Sequence, residues 1–156
     1  MDNPCNNLID KRHLEDLINS HIKPFNPIKI NPVNYYLYLQ AFLHKSVFKV
    51  YSFVDKEDLS CCFHLSNYNV NNNERLEYLG DSILSSVITE YIYDRFKHKD
   101  EGFLSPLRSK LIEKNTLCEL GTKLSLRDYI VISSFLESKN TRTTNVNLIE
   151  NIFESF

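Results

Sequence analysis

Apolar side chains at Leu76, Leu79, Ile83, Leu84, Val87, Ile88, Tyr91, Ile92 and Phe96 recur at steps of three and four residues. A strand cannot keep such a period, so this stretch dictates a long α-helix. The stripe is too wide for a helix resting one edge on a protein surface, and it predicts the central helix of a bundle. Turn formers point the same way. The 156 residues hold three glycines and five prolines, well short of the roughly 12% of ordinary proteins, and a many-stranded fold would need more. The expectation is an all-α fold.

Leu14, Leu17, Ile18 and Ile22 keep helical spacing behind Asp10, a candidate cap, and predict a short amphipathic helix over 10–22. Pro24, Pro27 and Pro32 mark an irregular connector. The run NYYLYLQAFLHKS, 34–46, places Tyr36, Leu39 and Leu43 on one helical face and Tyr35, Ala41 and Phe42 on an overlapping one, which predicts a mostly buried helix. Between 47 and 72 the period is lost, and this polar stretch reads as an inserted loop with one short helix. After a break at 99–102, Leu104, Leu107, Leu111 and Ile112 predict the next helix, and Leu117, Leu120 and Leu124 continue or follow it. Residues 129–132 are β-prone, 137–145 read as a polar loop, and helical spacing resumes over 148–156. Two regions result: 1–33, a helix and its connector, and 34–156, one helical domain.

Charge and cysteines narrow the function classes. Eighteen basic against 20 acidic side chains leave a formal charge of −2, without the basic excess that a duplex-binding surface usually shows. No apolar run approaches the roughly 18–20 residues that span a bilayer, so no membrane is expected. The first residues lack the apolar core of a secretory signal; an intracellular, reducing compartment with free thiols is the expectation. Cys5, Cys61, Cys62 and Cys118 contain no CxxC pair, and the C-C-x-H run at 61–64 is a weak zinc signal beside ordinary loop or core thiols. Cys118, inside a helical pattern, reads as core.

Within the central helix Glu74, Glu77 and Asp81 stand at i, i+3 and i+7, so three like charges project from one face. A solvated acidic stripe is one reading. The other draws on context: the face belongs to the most apolar helix of the chain, and Gly80 interrupts it at a cost of about 1 kcal/mol relative to Ala, which suggests close backbone approach. Glu150 and Glu154 repeat the acidic step on the last helix, next to Asn151, whose amide oxygen can also ligate. Carboxylates converging from two helices build a site for a hard divalent cation such as Mg²⁺.

The stretch NERLEYLGDSIL, 73–84, resembles the signature of the ribonuclease III family. AFLHKS (41–46) is similar to the block that precedes it, DEGFLSPLRSKLIEKNTLCELG (100–121) to the two helices that follow, and LIENIFESF (148–156) to the start of the last metal-binding helix. The resemblance spans 35–156, interrupted by 47–72. It implies a ribonuclease III endonuclease-like helical bundle that homodimerises and uses Mg²⁺, two ions per site with Mn²⁺ able to substitute, to hydrolyse double-stranded RNA. Products with 5′-phosphates, 3′-hydroxyls and two-nucleotide 3′ overhangs follow. By the same resemblance Glu77 and Asp81 match metal ligands, Glu154 the bridging carboxylate, Asn151 a fourth ligand position, and Glu74 and Glu101 supporting acids. Tyr78 matches an aromatic that enters the partner subunit, with packing inside its own subunit as the plain alternative. Arg75 and Arg108 stay open between orienting carboxylates, meeting phosphate and forming surface ion pairs. Cations in an acidic valley supply the positive charge the chain lacks, and A-form RNA can be recognised by shape.

Two departures qualify that likeness. The family usually has aspartate where this chain has Asn151, which removes one negative charge and predicts a weaker second metal. Glu154 lies two residues from the last residue of the chain, in a turn expected to fray, and no double-stranded-RNA-binding domain follows; a truncated catalytic domain with weak RNA affinity is the expectation. A competing reading keeps the fold without the chemistry: a dimerising module that binds or sequesters duplex RNA.

Overall fold

A computed structural model of the chain describes residues 3–22, 27–50 and 71–156. Nine α-helices and one 3₁₀ turn are found among them. Helix α1 (Lys11–Ile22) starts where Asp10 Oδ1 accepts a hydrogen bond from the His13 amide at 3.0 Å, the cap expected from the sequence, and it buries Leu14 and Ile18. Helix α2 (Pro32–Ala41) opens on proline, whose missing N–H costs nothing in a first turn.

Here the first correction appears. The helix expected to run through 34–46 stops at Ala41, because Phe42 and Leu43 turn to pair with another part of the chain. The Val131 amide donates to Phe42 O at 2.9 Å and the His44 amide to Val131 O at 3.0 Å, a short parallel bridge. Local periodicity extended the helix; a tertiary partner ended it. Around this bridge lies the driest part of the molecule, with Phe42, Leu126, Ile130, Val131 and Ile132 fully buried. The β-prone reading of 129–132 reduces to that bridge, since Leu126–Tyr129 form the 3₁₀ turn.

Helix α3 (Ser46–Val50) is followed by 51–70, outside the described residues, where most of the expected insertion falls together with Cys61, Cys62 and His64. Helix α4 (Glu74–Arg95) is the long helix expected from the period. Helix α5 (Glu101–Leu111) is capped by Asp100, whose Oδ1 accepts from the Phe103 amide at 3.1 Å, and α6 (Lys114–Lys123) follows. The polar loop expected over 137–145 is largely helical instead: Ser133 caps α7 (Ser134–Ser138), Asn140 turns the chain at φ 55°, and α8 (Thr141–Thr144) follows. Polarity there serves a tether. Arg142 meets Glu137 at 2.7 Å and donates to the carbonyls of Ile130 and Arg127, so charged residues fold inward onto backbone groups.

Helix α9 (Val146–Ser155) packs against both α6 and α4 and buries Leu148, Ile149 and Ile152. Gly121 lets it approach, since a Cβ there would stand 2.7 Å from Ile149 Cγ2. Its last turn, where fraying was expected, makes contacts with the core. Ser155 Oγ donates to Ala41 O at 3.0 Å, and the Phe156 ring packs on Tyr38 and Phe42, each at 5.6 Å between centroids. Cys118 is half-buried against the same core, and both described cysteines, Cys5 and Cys118, are free.

The apolar stripe of α4 divides. Leu76, Leu84, Ile88 and Ile92, spaced in multiples of four residues, turn inward, and among them only Ile92 is fully buried. The neighbouring row, Leu79, Ile83, Val87 and Tyr91, is more than half exposed. The width that predicted a helix wrapped on all sides is two adjacent rows, and one chain covers one of them. Among the described residues no helix is long and apolar enough to cross a membrane.

Candidate active site

Gly80 decides how the acidic residues meet. A Cβ on Gly80 would lie 1.7 Å from the Glu154 carbonyl oxygen, so α9 crosses α4 backbone to backbone there, the close approach that the glycine suggested. Crossing at that point brings the Glu77 and Asp81 face of α4 to the Glu150–Glu154 face of α9.

Electrostatics register the convergence. Partial burial raises the Glu154 carboxyl to about 7, helped by the charges of Asp81, Glu150 and Glu77 and opposed by Lys114. Burial likewise pushes Glu77 up, with Glu74 and Glu150 adding to it, while Lys45 and the nearby Asn151 amide pull the other way. Glu77 and Glu154 therefore each feel carboxylates of both helices. As the side chains stand, no three acidic, histidine or cysteine groups among the described residues surround one ion. The donor set is nonetheless all oxygen, which suits a hard cation.

Glu74 is held differently. Its Oε1 accepts from Lys45 Nζ at 2.7 Å and its Oε2 from Asn72 Nδ2 at 3.0 Å, while its own amide donates to Asn72 Oδ1. Lys45 keeps its carboxyl below the usual range. Both oxygens are occupied, so Glu74 stands at the rim of the cluster. Glu101 stands apart on α5, accepting from Ser105 Oγ at 2.7 Å. Tyr78 is 80% exposed and is not part of the core formed by the described residues. Arg75 is exposed, and Arg108 lines an open groove with Ser82, Ser85, Ser86, Thr89 and Glu90 of α4.

Two residues at the site, Lys45 and Lys114, were not singled out from the sequence. Lys45 sits in the AFLHKS block, where only its family likeness was noted. Glu150, by contrast, belongs to the acidic step on the last helix from which a cation site was expected. Lys114, whose Nζ lies 3.6 Å from Glu150 Oε2, carried no sequence signal, because its place depends on how α6 meets α9.

Residues 74–156 match the family profile described as the Ribonuclease III domain. The chain belongs to the ribonuclease III family. Ribonuclease 3 of a Nitratiruptor species is 41% identical over 106 residues, 67% of this chain and 46% of that protein. Ribonuclease 3 of Rickettsia felis is 36% identical over 119 residues, 76% of this chain and again 46% of the relative. The chain thus spans about half the length of these ribonuclease III relatives. The crystallised nuclease domain of Campylobacter jejuni ribonuclease III superposes with a TM-score of 0.64 over 90% of this chain and 79% of that one, at 24% identity, a likeness of fold. The all-helical architecture expected of a ribonuclease III domain is therefore the one found.

Proposed function

We propose that this chain is the catalytic domain of a Mg²⁺-dependent endoribonuclease that hydrolyses double-stranded RNA, acting as a homodimer and leaving 5′-phosphates, 3′-hydroxyls and two-nucleotide 3′ overhangs. The observation that carries the reading is the backbone contact of Gly80 with Glu154, which joins the acidic faces of α4 and α9 in a ribonuclease III domain. Glu77, Asp81, Asn151 and Glu154 would hold the cations, two per site, with Mn²⁺ as a substitute. Bound there, the ions would supply activation of water and neutralisation of phosphate charge. Glu74, clamped by Lys45 and Asn72, fixes the start of α4 and with Glu101 lends negative potential at the approach. The Glu154 carboxyl, raised to about 7, holds its proton more tightly than an ordinary carboxylate, so a cation must displace that proton and should bind more strongly as pH rises.

The exposed row Leu79, Ile83, Val87 and Tyr91, with Tyr78 beside it, supports self-association through α4. In the Campylobacter jejuni nuclease domain, structural flexibility has been described in a region involved in dimer formation. Asn151 favours a second reading, a dimerising module that binds or sequesters duplex RNA with weak chemistry or none, because it leaves the ligand set one charge short.

Incubating labelled duplex RNA with the protein, with and without Mg²⁺, separates the two. Cleavage that needs Mg²⁺ and falls by at least about a hundredfold in Asp81→Asn is the expected outcome. Retention of intact duplex with no cleavage at any Mg²⁺ concentration would establish the second reading, and cleavage indifferent to Asp81→Asn would defeat the first.

A further inference from the structure

Glu150 and Glu74 are both glutamates paired with a lysine at the edge of the cluster, yet they are bound in opposite ways. Glu74 is committed: a 2.7 Å contact with Lys45 on one oxygen and an amide donor on the other. The Glu150 side chain is only 17% exposed, neither oxygen accepts a hydrogen bond from a described residue, and its ion-pair partner Lys114 stands at 3.6 Å. Charge-assisted hydrogen bonds run about 2.7–2.9 Å, so that pair is loose. Lys114 is itself 48% exposed, and its flexible stem can turn to water at little cost.

Position adds the second element. Glu150 lies one residue before Asn151 and one turn before Glu154 on the face of α9 that meets α4, and its charge acts on both Glu77 and Glu154. Asn151, where a carboxylate would complete the set, is neutral. Resting on the metal-dependent reading above, we infer that Glu150 supplies the negative charge that Asn151 lacks, and that Lys114 is its resident counter-ion, released when a divalent cation enters.

A lysine in this place makes the cluster tolerable before an ion arrives. Without it, a fourth carboxylate beside Glu77, Asp81 and Glu154 would add repulsion that nothing in α4 or α9 offsets. With it, entry of the cation exchanges one positive partner for another, and Lys114 is freed toward solvent. Affinity for the ion is set by that exchange.

The test uses Mn²⁺ alone, titrated calorimetrically into the protein without RNA, with thermal melting of each variant as a check on folding. Glu150→Gln should weaken Mn²⁺ binding about tenfold. Lys114→Gln, which removes the competitor, should tighten it. Asn151→Asp combined with Glu150→Gln should recover most of the loss, an outcome that a merely structural role for Glu150 would not produce. If Glu150→Gln binds Mn²⁺ as the unaltered protein does while Asp81→Asn does not, this inference is wrong and the nuclease reading stands. If Glu150→Gln fails to fold, an unchanged affinity in Lys114→Gln overturns the inference by itself. If the unaltered protein binds no Mn²⁺, both readings fall together.

Discussion

Helices α4 and α9 cross at one glycine, yet they belong to different environments. The longer, α4, has 22 residues and fully buries only Ile92; the shorter, α9, has 10 and buries Leu148, Ile149 and Ile152. Apolar content along the chain therefore does not measure burial. α9 lies between α6, the 126–132 segment and α4, so its apolar face is enclosed, whereas α4 forms one wall of the chain and leaves its outer row uncovered. The short helix is enclosed by the core, and the long one presents both the acidic face and an uncovered apolar row.

The largest expected effect tests that division directly. Ile149→Ala, which removes a fully buried side chain from α9, should cost about 2–5 kcal/mol in urea denaturation, while Val87→Ala on the outer row of α4 should stay within about 0.5 kcal/mol per folded chain. Equal losses would erase the contrast. Next comes the crossing point itself. Gly80→Ala puts a methyl group into the Glu154 carbonyl, and because the obstacle is backbone the helices must part. A loss of about 1–3 kcal/mol on thermal melting is expected, and a neutral effect would mean that the approach is looser than described.

A third test addresses the outer row. Ile83→Asp should weaken self-association by about tenfold or more in sedimentation velocity while leaving the chain's helical content intact; unchanged association would place the interface elsewhere. Smaller still is the pH dependence of the junction. Glu154 ionises at an ordinary value of 4.5 when unfolded and at about 7 when folded, and Glu77 is shifted the same way. Between those values the folded chain holds the extra proton, so in metal-free buffer stability should fall as pH rises from 4.5 to about 7. Glu154→Gln should flatten that slope, and a slope that survives the substitution would assign it to other groups.

Much of the architecture was legible because it depends on neighbours in sequence. The Asp10 cap, the start of α5 at the 99–102 break, and the period of α4 all follow from residues within one or two turns of each other. Gly80 was legible as a point of close approach, since a glycine inside so apolar a helix sacrifices stability that only a tight crossing explains. What was missed depends on distant groups. Leu43 leaves its helix for Val131, the polar residues of 137–145 curl into two short helices around Arg142, and Phe156 is anchored by Tyr38 and Phe42.

From the amino-acid order alone came the helical class, the family likeness and the set of carboxylates at Glu77, Asp81 and Glu154, because hydrophobic period and motif spacing are properties of adjacent residues. Only the tertiary structure could decide which row of α4 is covered, that Lys45 holds Glu74, and that Lys114 faces Glu150. Those are matters of which segments pack together, and a charge or an apolar row acquires its partner only when distant backbone is brought within a few ångströms.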